Sequence, residues 1–340
     1  MSDNIVKSPV LVPSNFVGVC IGSGLKTPDT FTHSLVRSWD YNGPSGTSTC
    51  VATFINPSVG VYNWGTFDWL FDNNRQKQII FVLGAPPDYL VSRAATGGAY
   101  KGVKGNMCPD DLTTWAEVVT NIVSRAKNVY GRTGLIWQLW NEIDQVSSFN
   151  DSVALLGPYT RVTVSAIKAV DPTAICIGPC IAGSFGNNTT LLKNYLTSSD
   201  GAGGQAKDWI QGVGLHFYVQ NLAQASQTDN TISFVNNYNL TKGMLAANNI
   251  PMPIYITETG SLLTNVSGGK ACARRLIVAA AVGAKCCLCY NYDSPYHGIS
   301  GYLTDFNSAA NILKTDSVIT ECYIGSSAVE VKIDGVTYTI

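Results

Sequence analysis

Eight short apolar runs recur along the chain, most of them separated from the next by a stretch with helical spacing. This alternation constrains the fold more than any other feature, because strands with a helix between them pair in parallel and need a crossover each time. The runs fall at residues 16–21, 34–39, 78–83, 135–139, 174–178, 213–218, 254–257 and 286–290. Helices are expected at 64–73, 111–129, 159–170, 191–196, 232–248, 270–282 and 307–314, with Thr113 or Asp111 capping the second. The third run is apolar from Ile79 to Leu83 and closes on Ala85-Pro86-Pro87, which neither a helix nor a central strand tolerates. Eight such units in one chain fit a closed (β/α)8 barrel better than an open sheet.

The tail reads differently. Residues 329–340 alternate apolar and polar side chains around Asp334-Gly335, a hairpin signal. The expected organisation is a barrel over 1–320 and a small C-terminal β-hairpin over 321–340, standing alone or opening a further β-domain.

Composition narrows the function. Charged residues make up 13% of the 340, and the formal net charge is −1. Phosphate backbones need clustered Lys and Arg, so nucleic acid is not the expected partner. A surface made soluble by Ser, Thr, Asn and Gly suits neutral ligands such as sugars. The most apolar stretches, 78–83 and 271–284, are too short or carry Arg274 and Arg275, so no membrane span is expected. The first thirteen residues contain Asp3 and Lys7 and lack a long apolar region, so no secretory signal is expected either. Cys20, Cys176, Cys286, Cys287 and Cys289 fall in apolar runs, where cysteine behaves as a small hydrophobe. Cys286 and Cys289 have CxxC spacing without a second pair, and His33, His216 and His297 are dispersed, so neither metal nor cofactor is expected.

In a closed barrel the C-terminal strand ends carry the active site. Run four ends in Trp140-Asn141-Glu142 and run seven in Thr257-Glu258-Thr259-Gly260. Run two carries Arg37, and run six reads Leu215-His216-Phe217-Tyr218. Two carboxylates and an arginine at one mouth are the minimum apparatus for glycoside cleavage, with one carboxyl donating a proton and the other facing the anomeric carbon. Strands four and seven lie across a barrel from each other, and a retaining mechanism wants their carboxyl groups about 5 Å apart. Arg37 and the Tyr218 hydroxyl are placed to hold Glu258 ionised for attack, while partial burial against Trp140 and an anionic neighbour favour a protonated Glu142. Each residue alone has a blander reading. A strand-end glutamate is more often a loop charge, Arg37 serves equally in an ion pair with Asp40 or Glu258, and His216 is more often a core histidine. Their joint occurrence at four strand ends raises the odds.

These motifs resemble glycoside hydrolase clan A, the 4/7 barrel superfamily, over roughly residues 15–302. Family 39 is the closer likeness, with its bacterial and phage relatives that cleave exopolysaccharide. The segment Phe81 to Tyr89, and Asp171-Pro172 followed by Ile177-Gly178-Pro179, are similar to segments of that family. The resemblance implies Glu142 as acid/base, Asn141 on the sugar 2-hydroxyl and Glu258 as nucleophile. It implies Arg37, His216 and Tyr218 as supports of the nucleophile and the sugar. Where many members end strand eight in a tryptophan, this chain has Tyr290-Asn291-Tyr292, so one of these tyrosines takes that place or the platform is missing. Trp39, Tyr290 and Tyr292 are the further candidates for stacking on sugar.

The expected function is thus a retaining, endo-acting glycosidase of bacterial capsule or exopolysaccharide. A virion tail is a consistent setting, since release by lysis needs no export signal. The competing reading is a non-catalytic carbohydrate-binding barrel on a virion or cell surface, because fold does not fix function. An aldolase or phosphate-ester barrel fits poorly: Lys285 begins strand eight at the wrong end, and Ser267-Gly268-Gly269 has no companion anion-binding feature.

Overall fold

The computed structural model describes residues 3–21, 32–38, 55–84, 86–93, 106–182, 188–219, 227–261, 266–290, 303–325 and 328–340. The strands are β1 (Val10–Leu11), β2 (Val17–Ile21), β3 (Leu35–Ser38), β4 (Gln78–Leu83), β5 (Ile136–Leu139), β6 (Ile175–Ile177), β7 (Cys180–Ile181), β8 (Val213–Val219), β9 (Ile254–Ser261), β10 (Cys287–Cys289), β11 (Val318–Ile324), β12 (Val329–Ile333) and β13 (Val336–Thr339). The helices are α1 (Gly65–Asn73), α2 (Leu112–Asn128), α3 (Leu156–Val170), α4 (Asn188–Leu196), α5 (Gln227–Ala247), α6 (Val266–Ala281) and α7 (Leu303–Ile312). Two compact units emerge. One comprises Met1–Arg37, Gly183–Gly186 and Leu215–Ile340, and the other Ser38–Ala182 and Asn187–Gly214.

In the second unit β4, β5 and β6 pair in parallel, with Ile80 opposite Ile136 and Ile136 opposite Ile175. Ile79 to Leu83 are all buried, as befits a central parallel strand covered on both faces. Asp111 caps α2, its carboxylate accepting from the backbone N–H groups of Thr113 and Thr114. Trp115, Val118, Val119, Ile122, Val123 and Ala126 then recur at helical spacing and are buried. Each large apolar side chain so buried contributes about 1.5–3 kcal/mol relative to exposure. Trp115 ties this helix to α3 by donating to Thr163 Oγ1 at 2.8 Å and stacking on Tyr159.

In the first unit the strand order is β3-β2-β10-β9-β8, with β10 parallel to both β2 and β9. Gly18 is required by this packing: a Cβ there would lie 2.7 Å from Leu288 Cγ and 2.9 Å from the Leu35 carbonyl oxygen. Helix α6 is buried almost continuously from Ala271 to Ala281, including Arg274 and Arg275.

The expected hairpin forms, with Val331 opposite Tyr338 and a turn at Asp334 (φ 51°) and Gly335 (φ 82°). It is the outer half of a four-stranded antiparallel sheet in the order β1-β11-β12-β13. Val10 pairs there with Ile319, so the sheet draws on both ends of the sequence. Other differences lie at element ends. Strand β9 runs four residues beyond Thr257, because Glu258 is buried and satisfied within the strand. Helices α4, α5, α6 and α7 each begin three to five residues earlier than their apolar spacing suggests. No helix among the described residues is long and apolar enough to cross a membrane.

Candidate active site

The glutamate of β9 is the centre of the first unit's polar core. Glu258 is 6% exposed and accepts from Arg37 Nη1 of β3 and from the Tyr218 hydroxyl of β8. Its Oε2 also lies 3.3 Å from Nδ1 of His216, which is fully buried. Strand periodicity explains the convergence on β8, since His216 and Tyr218 are two apart and project from one face. Arg37 needs a further condition. In the order β3-β2-β10-β9, a flat sheet would put β3 about 14 Å from β9, three steps of about 4.8 Å. The ion pair with Glu258 therefore requires these strands to curl about the carboxylate.

Tyr290 follows β10 and donates its backbone N–H to the Thr259 carbonyl at 2.7 Å. Its ring meets Tyr218 edge to face, with centroids 5.7 Å apart. Gly260 makes the approach of Tyr218 feasible, because a Cβ there would lie 3.0 Å from Tyr218 Cε1 and 2.9 Å from the Tyr290 carbonyl oxygen. Arg275 supports the same strand end from α6. Its Nη1 donates to the Gly260 carbonyl at 2.5 Å and lies 3.3 Å from Thr259 Oγ1. Burial lowers the pKa of this guanidinium from the ordinary arginine value, against the opposing influence of Cys272, Cys289 and Cys287.

The second unit holds Trp140-Asn141-Glu142 just past β5. Trp140 (φ 81°) and Glu142 (φ 31°) both adopt positive φ, a strain of about 1–3 kcal/mol per residue that the surroundings must over-determine. They do so with several fixed contacts. Trp140 donates its backbone N–H to Leu83 O at 2.9 Å and its indole N–H to Ser148 O at 2.8 Å. Its ring packs edge-on against Tyr159 and Phe149. The Cys180 sulfur lies 3.1 Å from the Glu142 backbone nitrogen, 3.0 Å from Asn141 Oδ1 and 3.2 Å from Gln138 Nε2. Asn141 is 7% exposed and Glu142 is half-buried. Two residues on, Asp144 accepts from the Ala182 N–H at 2.8 Å. Burial raises its carboxyl above the usual range, and the Glu142 charge adds to the rise.

The structure thus gathers Arg37, His216, Tyr218 and Tyr290 around Glu258, and sets Asn141 beside Glu142 on one strained turn. Trp39 and Tyr292 lie outside the described residues. Cys286 and Cys289 are buried free thiols within the apolar packing. Two supports escape a reading of the sequence. Arg275 appears there only as a charge interrupting an apolar stretch, yet an arginine inside an Ala/Val/Leu helix is itself a signal. Cys180, just after Gly178-Pro179, carries no motif at all.

No family model matches the sequence, and no match is found among curated proteins. Solved structures do match. A monomeric β-xylosidase from Caulobacter crescentus aligns with a TM-score of 0.64 and 15% identity, covering 95% of this chain and 74% of that one. A GH39 enzyme from Xanthomonas axonopodis pv. citri gives 0.63 and 16%, covering 96% and 73%. A GH30 endoxylanase from Clostridium papyrosolvens gives 0.63 and 10%, covering 97% and 83%. The fold is a (β/α)8 barrel, shared with these enzymes. The likeness takes in nearly the whole chain, and the four-stranded antiparallel sheet accompanies the barrel. At these identities the likeness is one of fold, and the chemistry rests on the residues.

Proposed function

We propose that this chain is a retaining glycoside hydrolase in which Glu258 is the nucleophile and Glu142 the general acid/base. The observation that carries this reading is the buried Glu258 carboxylate, held by Arg37 and Tyr218 beside His216 on the strand where a barrel glycosidase needs its nucleophile. A carboxylate held by a guanidinium and a phenol is fixed in its aim, as attack at an anomeric carbon requires. In this reading Glu258 attacks the anomeric carbon while Glu142 gives its proton to the departing glycosidic oxygen. A covalent glycosyl-enzyme results, with the configuration inverted once. Glu142, now a carboxylate, takes a proton from water, which attacks the same carbon and releases Glu258 with the original configuration restored. Asn141 is assigned to the sugar 2-hydroxyl, and Tyr218 and Tyr290 to the walls of the subsite.

For substrate we propose a bacterial capsule or exopolysaccharide cleaved internally, with the chain working free or on a virion tail. The charge-poor composition and the paired tyrosines beside Glu258 support a largely neutral glycan. The test follows new reducing ends from wild type, Glu142→Gln and Glu258→Gln on aryl glycosides and bacterial exopolysaccharides. Wild type is expected to release them, and each variant to lose about a hundredfold or more. Variants equal to wild type would overturn the assignment. Sugar binding without turnover, unchanged by Glu258→Gln, would instead establish a binding-only barrel.

A further inference from the structure

The polar contacts behind Asn141 and Glu142 can be solved for proton positions from two groups that cannot flip. One is the Trp140 carbonyl, which only accepts; the other is the Glu142 backbone N–H, which only donates. Gln138 is fully buried and places Nε2 2.8 Å from the Trp140 carbonyl oxygen and 3.2 Å from the Cys180 sulfur. Were its amide reversed, two oxygens would face each other, so the NH2 must lie there, with one proton for each neighbour. The Cys180 sulfur, fully buried, therefore accepts from Gln138 and also from the Glu142 N–H at 3.1 Å. A thiol has one proton, and both donors face its lone pairs. That proton is left for Asn141 Oδ1, 3.0 Å away. The reversed Asn141 amide would bring a third donor to a sulfur that has two lone pairs.

We propose that Gln138 and Cys180 form a positioning relay that locks the Asn141 carboxamide with its oxygen on the thiol, so that Asn141 meets the substrate only as a hydrogen-bond donor. The specificity consequence is direct. A sugar hydroxyl at this place accepts from Nδ2 and keeps its own proton for another partner. A 2-ammonio sugar, which has only donors there, is refused. The same sulfur holds the backbone of Glu142 at its positive φ, so the relay places the acid and the 2-hydroxyl contact together.

This inference rests on the glycosidase reading, and its test separates the two. Wild type, Cys180→Ala and Cys180→Ser are assayed on one aryl glycoside and its 2-deoxy analogue. Serine has the thiol's valence, one donor and two lone pairs, and should remain within about threefold of wild type on both substrates. Alanine frees Asn141 to turn, and kcat/KM on the 2-hydroxy substrate should fall about ten- to a hundredfold, mostly in kcat. On the 2-deoxy analogue, where only the sulfur's hold on the Glu142 N–H is lost, the same variant should lose several-fold less than on the 2-hydroxy substrate. Equal losses on both substrates, or none on the first, would overturn the relay while leaving the glycosidase intact. A wild type that cleaves neither would sink the glycosidase reading, and an infrared difference spectrum against Cys180→Ser then decides the relay alone. The Cys180 S–H stretch should lie below that of a free thiol and move upward in Asn141→Ala. A band that does not move refutes the proposal.

Discussion

Removing Arg37 tests most sharply what holds Glu258 in place. Arg37→Met keeps the length of the side chain and deletes the charge. The side chains of the pair are 1% and 7% exposed, so solvent screening takes little from it. Taking one partner from a buried ion pair typically costs about 3–5 kcal/mol, since the other charge stays behind without water. With a urea dependence near 3 kcal/mol per molar, expected for a chain larger than a small domain, the midpoint should fall by about 1–1.7 M. Glu258→Gln strands the guanidinium instead and should cost a similar amount. The double variant buries neither charge. Its loss should be at least about 2 kcal/mol smaller than the sum of the two single losses. Urea unfolding of the four proteins, followed by tryptophan fluorescence, measures all the terms. Losses that add to within about 0.5 kcal/mol would show that the two charges do not depend on each other, and the account of the nucleophile would fall with them.

Two further outcomes follow from the same kind of contact. Tyr218→Phe removes a hydroxyl that donates to Glu258, a hydrogen bond to a charged group worth about 1.5–3 kcal/mol, so kcat/KM should drop about ten- to a hundredfold with the fold retained by circular dichroism. Arg125 clamps Asp68 through two hydrogen bonds of 2.7 and 2.6 Å and holds its carboxyl below the usual range, so that stabilisation is full above the unfolded value near 4 and fades as pH falls through the folded one; Arg125→Ala should cost about 1 kcal/mol more at pH 7 in urea than at pH 2, where only its contact with the Trp64 ring remains to be lost.

Legibility in the sequence followed physical cause. Strand β4 was readable to the residue because every side chain from Ile79 to Leu83 is buried and proline ends the run. The Asp111 cap and the Asp334-Gly335 turn were readable because each needs a particular side chain or a positive φ. Periodicity stopped β9 too early because Glu258 and Thr259 look like surface letters, yet they are buried. The partners of buried Glu258 are Arg37 and Tyr218, which lie 221 and 40 residues away along the chain, and local spacing carries no trace of that. The pairing of Val10 with Ile319 is hidden for the same reason. Helix α5 begins ahead of its apparent start because part of its buried stripe is threonine, Thr231 and Thr241 lying inward with Phe234, Tyr238 and Leu245. Of the site, the ionisable residues were legible as letters at strand ends. The thiol that orders Asn141 was not, since nothing about a cysteine after a proline announces three polar neighbours.

The two glutamates are held by different kinds of chemistry, and the difference bears on which does what. Glu258 sits in a regular extended strand and takes its partners from a cation and a hydroxyl. Glu142 sits on a strained turn whose backbone is fixed by a neutral thiol, with Asp144 nearby as an acidic neighbour. Like charges at short range disfavour having both ionised, and the Glu142 charge accordingly adds to the rise of the Asp144 carboxyl. A buried thiol gives Asn141 and the Glu142 backbone hydrogen bonds without a charge, whereas Glu258 takes both a hydrogen bond and a charge from Arg37.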